Sequence, residues 1–372
     1  RDPGQPGAQL RAGRADRLDI AAQWGAAGDR GSLGIGGGRQ RLGGDNASRP
    51  GSFGFDPDRD GFTNRHLSAS GRTSIGTHAL GATVLATRGD IAFDRGVTRA
   101  RSTSGGATLA GPLGARWTQS LALGDAHEDL LTISSFGSRF ESRRRSLDWL
   151  HDVALSPRQS LLFGLNHVDE QARSRGANGA VVYDRSRRHT GALSAWRAES
   201  GAQQWELAAR IDDSSQFGRT TTAQAAWRVA LGGGWRVRTS WGQGFRAPNT
   251  NELYSPGFGG RFAGNPGLDP ERSRSIEAGL AWTEGEASVA LSLYRTRVAD
   301  LVAFAGPQFR ATNISAARLD GVELDGRWTL GPARLSANAG WQRAENAASG
   351  APLLRRAPRK AALGLDIPAG ET

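Results

Sequence analysis

Cysteine and methionine are both absent from the 372 residues, and lysine occurs once, at Lys360. The lack of cysteine excludes a disulfide framework and thiolate metal sites, and says little more. No apolar run approaches the roughly 20 residues of a membrane helix. No stretch reads as a signal peptide, and the first residue is Arg1, so a processed product or a fragment is expected. Marks of catalysis are missing too. The six histidines (His66, His78, His127, His151, His167, His189) form neither HxxxH nor HExxH. There is no G-x-S-x-G elbow and no phosphate cradle: Gly34 to Gly38 lacks the lysine and reads as a glycine-rich strand packed close to its neighbours. The pair Asp212-Asp213 falls at an expected outer-loop edge, where solvation or ligand contact fits better than acid–base work. No enzyme is expected.

What is present is arginine. It supplies all but one of the 47 basic residues behind a net charge of +11. These arginines alternate with apolar residues and cluster little, most densely at Arg143 to Arg145 with Arg139 nearby. No nucleic-acid module accompanies them, so no nucleic-acid partner is expected. A mean hydropathy of −0.47 argues against a helical membrane protein. It does not argue against a membrane β-barrel, where half of each strand faces a polar lumen.

Period-two alternation recurs along the chain. Leu18, Ile20, Ala22 and Trp24 share one face, as do Trp205, Leu207, Ala209 and Ile211. The same holds for Trp235, Val237, Thr239 and Trp241, for Val322, Leu324, Gly326, Trp328 and Leu330, and for Leu335, Ala337, Ala339 and Trp341. Tryptophans near the ends of apolar faces suit the aromatic girdle of a membrane barrel. Tight turns near Gly114, Pro157, Gly201, Gly233, Gly285 and Pro332 alternate with longer connections, expected near 124–130, 171–188, 212–220, 245–272 and 299–317. Short and long connections in alternation describe an all-β, antiparallel up-and-down transmembrane β-barrel of about 18 strands.

The longest connection, leading from Gly242 to Leu280, is nearly 30 residues and rich in ordered turn makers and aromatics, among them Phe245, Tyr254, Phe258 and Phe262. Its residues Gly244, Phe245, Arg246, Ala247, Pro248, Glu252, Leu253, Tyr254, Gly264, Asn265, Pro266, Leu268, Pro270, Glu271 and Glu277 resemble the late-barrel signature of TonB-dependent outer-membrane receptors. Downstream, Asn313-Ile314, Gly321 to Leu324 and Leu353 to Pro358 continue the match. The resemblance implies a 22-stranded barrel around a plug. Residues 1–372 are then a partial barrel domain, with the plug and the last strands missing. It also implies outer-membrane lipid as surroundings, a scarce small-molecule ligand, and coupling to TonB only through the missing plug. The signature residues are expected to organise loop and rim.

A second stretch, Phe53 to Asn64, spaces Asp56, Asp58 and Asp60 as D-x-D-x-D-G, the oxygen-donor pattern of a calcium loop. It is no EF-hand, because Leu67 stands where the bidentate glutamate belongs; a polar turn is the plain alternative. Vitamin B12 receptors bind calcium in early outer loops through an Asp-x-Asp-Gly-Phe segment. Asp58, Asp60, Gly61 and Phe62 match that segment, and the next expected outer loop, 88–101, offers Asp90 and Asp94. The layout is most similar to the cobalamin (vitamin B12) branch. Siderophore receptors share the late-barrel signature, so a siderophore ligand stays open. So do a passive porin-like channel and a soluble β-rich binding protein.

Overall fold

The structure is a computed structural model that describes residues 6–46, 48–52, 55–257 and 261–367, with the side chain of Ser315 left aside. Phe53 and Phe258 lie outside the described residues.

Eighteen strands follow one another. They are β1 (Gly7–Gly13), β2 (Arg17–Gly28), β3 (Gly31–Leu42), β4 (Phe62–Ile75), β5 (His78–Phe93), β6 (Gly96–Gly114), β7 (Trp117–Ile133), β8 (Ser138–Ser156) and β9 (Gln159–Gly176). Then come β10 (Val181–Ser200), β11 (Gln203–Ser214), β12 (Gly218–Gly232), β13 (Trp235–Arg246), β14 (Glu271–Glu284), β15 (Ala287–Ala305), β16 (Arg310–Leu330), β17 (Ala333–Asn346) and β18 (Arg359–Asp366). Each pairs antiparallel with the next in chain order, from β1 with β2 to β17 with β18. The up-and-down wall is the one the alternation leads to.

Register sorts the side chains into two faces. Residues opposite each other in a ladder point the same way, so rows can be followed around the wall. One face carries Ile35, Val84, Leu123, Leu147, Leu165, Leu207, Leu280, Leu291 and Leu324, all large, apolar and exposed. That is the lipid-facing side of a membrane barrel. The opposite face carries Asn166, Glu206, Arg238, Glu277 and many small residues, which line the lumen. All eleven tryptophans lie on the apolar face. Eight of them (Trp24, Trp117, Trp196, Trp205, Trp227, Trp235, Trp282, Trp328) gather toward the tight-turn end of the wall. Three of the eleven are oriented by glutamines on the neighbouring strand: Trp149 donates to Gln119 at 3.1 Å, Trp196 to Gln159 at 3.4 Å and Trp227 to Gln203 at 3.0 Å.

The connections differ from the expected ones. Residues 124–130 are interior to β7, and β9 and β10 run on until only 177–180 separate them. Likewise only 215–217 separate β11 from β12, and 306–309 separate β15 from β16. The ladders continue beyond the apolar band, so what reads as loop from composition is strand with two polar faces. Three long connections remain at that end: 43–61, 247–270 and 347–358.

Candidate functional site

The connection 247–270 folds inward over the lumen mouth. It contains one helical turn, α1 (Thr250–Tyr254), started by a capping box: the Asn249 side chain accepts from Glu252 N at 2.9 Å, and the Glu252 carboxylate accepts from Asn249 N at 2.8 Å. Glu252 also meets Arg246 at 3.0 Å, and Arg246 pairs with Glu271 through Nε at 2.7 Å. A second oxygen of Glu271 accepts from Val302 N at 2.9 Å. One guanidinium thus joins the end of β13, the cap of α1 and the start of β14. Such two-pronged contacts need arginine geometry.

Beneath the turn, Leu253, Leu268 and Ala311 form a small buried core, flanked by Phe217, Tyr254 and Val302. Leu253 and Pro248 are fully buried. Gly264 passes so close to α1 that a Cβ there would sit 2.8 Å from Leu253 C. Asn265 Oδ1 accepts from Gly267 N at 3.0 Å across the turn that holds Pro266. Asn313 clamps the far end: Asp269 N donates to its Oδ1 at 2.9 Å, and its Nδ2 donates to Asp269 O at 3.0 Å, next to Pro270. Phe245 sits on the outward face opposite Arg272. Glu277 stands apart from the loop, on the lumen face, 2.7 Å from Arg238.

The underside of α1 rests on β10. Tyr183 donates to Asn251 at 2.7 Å, Arg187 to the Pro248 carbonyl at 2.9 Å, and the Arg185 guanidinium lies 5.0 Å over the Tyr254 ring. Gln216 donates to the Tyr254 hydroxyl at 2.8 Å. These contacts roof a cavity of about 380 Å³ whose walls include Phe140, Arg144, Glu170, Arg185, Arg187 and Tyr254. Arg144, Glu170 and Arg187 are in one cross-strand row on the lumen face. Glu170 holds Arg187 at 2.6 Å and Arg144 at 3.6 Å, so one carboxylate answers two guanidinium groups. Arg185 and Arg187 fall in the stretch expected as a connection, 171–188, and only register makes Arg187 a neighbour of Arg144 across Glu170.

A larger cavity, about 690 Å³, lies lower in the lumen among Arg158, Arg197, Glu206, Arg228, Arg238 and Glu277. Between the two, His189, Asp212, Arg210, Asn166 and Asp148 are linked in sequence, with His189 to Asp212 at 2.8 Å and Asn166 to Asp148 at 2.7 Å. Asp212 is therefore a structural member of the lumen network, while Asp213 opposes Arg219 on the outward face.

Among the acidic candidates, the structure brings together Asp58, Asp60 and Asp94, with carboxylate oxygens within 4.8 Å of one another. Asp58 and Asp60 come from the 43–61 connection, and Asp94 from the tight β5–β6 turn. Asp56 contributes its backbone N to Asp94 at 3.3 Å rather than its carboxylate. Asp90 is within β5, 3.7 Å from Arg99. Loss of water around the loop, followed by the charges of Asp56, Asp60 and Asp94, pushes the Asp58 carboxyl above its ordinary range.

Comparison with known proteins agrees with this geometry. The chain is 28% identical over 220 residues to the vitamin B12 transporter BtuB of Vibrio vulnificus, a match covering 58% of this chain and 35% of that protein. Among solved structures, the copper transporter OprC superposes with a TM-score of 0.83 at 16% identity, over 97% of this chain and 65% of that one. The hemophore receptor HasR of Serratia marcescens, solved with HasA and heme, superposes at 0.75 with 16% identity, over 93% and 64%. The chain thus spans about a third of the length of its BtuB relative and just under two thirds of these structures. The family model described as TonB dependent receptor-like, beta-barrel, matches residues 6–370. The chain belongs to that family of β-barrels of the Gram-negative outer membrane.

Proposed function

We propose that this barrel serves energy-coupled uptake of a large, scarce ligand, and that the ligand is cobalamin. The similarity to a vitamin B12 transporter supports the choice, and the Asp58, Asp60 and Asp94 cluster is the observation that carries it. Three carboxylates from two neighbouring outer connections form a hard-oxygen donor set that fits Ca²⁺. Bound there, the ion would neutralise their repulsion and fix the 43–61 connection against the β5–β6 turn. Ligand would enter at the outer mouth and meet the cavity under α1. Energy would come from TonB through a plug domain.

One observation favours a second reading. The arginines lining the cavity under α1, Arg144, Arg185 and Arg187, suit an anionic iron chelate, and siderophore receptors superpose on this wall, that of Pseudomonas aeruginosa PirA at a TM-score of 0.71.

Titration of the protein in detergent with cyanocobalamin, with calcium and with chelator, tests the choice. Saturable binding that weakens on calcium removal is expected. Absence of cyanocobalamin binding, with saturable binding of a ferric tris-catecholate, would move the assignment to the second reading.

A further inference from the structure

The outward face changes character at the long-loop end. Following one row through the ladders, Arg39 opposes Arg65, Arg65 opposes Arg88, and Arg88 opposes Arg101. These are four arginines on four consecutive strands, β3 to β6, at one height. They share the face of Leu33, Ile35, Leu67 and Val84, all of which are exposed. They lie just beyond those apolar residues toward the long loops. All four are exposed, and none makes a salt bridge among the described residues. The next position in the row is Asp129, which is held by Arg139 at 2.9 Å.

Adjacent strands are about 4.8 Å apart, so the four charges fall within roughly 15 Å. Like charges facing each other across strands oppose sheet formation. Several arginines elsewhere in the wall are neutralised: Arg197 with Glu206 at 2.8 Å, Arg238 with Glu277 at 2.7 Å, and Arg295 and Arg318 with Asp320. Here the two nearby acids of the same face are taken by other arginines, Asp129 by Arg139 and Asp90 by Arg99 at 3.7 Å. A second outward row, Arg274, Arg297 and Arg318, repeats the placement on β14 to β16. Arg274 to Trp282 is nine residues, about the number a tilted strand needs to cross the apolar band. Tryptophans therefore mark one membrane boundary and arginines the other.

We infer that the row Arg39, Arg65, Arg88 and Arg101 seats the phosphate groups of phosphorylated lipid headgroups in the outer leaflet. Its place on the lipid-facing side selects a lipid over a soluble anion. Guanidinium forks match phosphate oxygens bidentately. A flat row of four suits a headgroup with more than one phosphate.

The test uses the protein extracted from outer membranes and placed in phosphatidylcholine nanodiscs. The discs are doped with a diphosphorylated glycolipid or with its dephosphorylated form. Native mass spectrometry counts the retained glycolipid. The phosphorylated form should be enriched around the protein and the dephosphorylated form should not. Excess inorganic phosphate should fail to displace it; displacement would mean a site for free phosphate and would overturn the lipid assignment. Each Arg→Gln change in the row should lower retention roughly fivefold, the worth of one basic residue at an anionic membrane surface. The inner-face pair R327Q and R334Q should leave retention unchanged. If R39Q/R65Q/R88Q/R101Q fails to fold, the single R65Q and the two lipid forms on the unaltered protein still decide. Equal retention of both lipid forms would overturn the inference, as would full retention by R65Q.

Discussion

Arg246 donates through Nε to Glu271 at 2.7 Å and so ties the last residue of β13 to the first of β14 across the neck of the 247–270 connection. The same guanidinium reaches Glu252 in the cap of α1. Replacing it with glutamine strands two carboxylates that are largely covered. The side chains of Glu252 and Glu271 are 16% and 12% exposed, whereas that of Arg246 is 44% exposed, so solvent screening tempers the loss. Arg246→Gln should cost about 1–2 kcal/mol, confined to the loop. Hydrogen exchange should show faster exchange in 247–270 with β1 to β12 unchanged. Arg246→Lys should restore little, since an ammonium cannot span both carboxylates in the same way. Unchanged exchange in both variants would contradict this role.

Leu253 is the hub of the small core under α1. Truncation to alanine should cost about 2–4 kcal/mol through lost transfer energy and the cavity left behind. The sheet does not depend on that core, so the loss should appear as proteolytic cutting within 247–270 while the barrel keeps its heat-resistant mobility on gels. Global unfolding of Leu253→Ala would show that the loop core supports the wall.

The pH behaviour of the 43–61 connection follows from Asp58. Its carboxyl holds a proton more tightly in the fold than in the unfolded chain. Without calcium, the folded connection is therefore stabilised at low pH and loses that stabilisation as pH rises through the raised Asp58 value. Calcium binds only the ionised form, so its affinity should fall as pH drops through the same window. Terbium luminescence against pH should show this limb, and Asp58→Asn should remove it while weakening the site. A pH-independent signal abolished by Asp90→Asn instead would place the ion elsewhere.

The strands were legible in the sequence wherever one face meets lipid. Trp235, Val237, Thr239 and Trp241 announce β13 because apolar and polar residues must alternate there. Legibility stopped where both faces become polar. From Asp184 to Arg188, within the expected connection 171–188, every residue is polar or charged, yet β10 and its ladder with β9 run straight through. Period two cannot be seen when neither face is apolar, so strand extensions resembled loops.

The site divides the same way. The signature residues around Arg246 and Leu253 carry local turn chemistry, which sequence spacing preserves. The basic cavity wall depends on register across β8, β9 and β10, which spacing does not encode. For the acidic cluster, chain order led to 88–101 as an outer loop with Asp90 and Asp94 as equals. The β5–β6 turn is tighter than that. It leaves Asp94 at the tip beside Asp58 and draws Asp90 into the ladder opposite Arg99.

The placement of the tryptophans tests the whole account most directly. All eleven sit on the face assigned to lipid, Trp24, Trp235 and Trp341 each nearly half exposed. Reconstituted in bilayers with bromine at graded depths along the acyl chain, the protein should lose most of its tryptophan emission. The strongest quenching should come from bromine near the headgroups, where the tight-turn girdle lies. Emission that stays unquenched at every depth would turn this face toward a protein core, and the membrane assignment would fall.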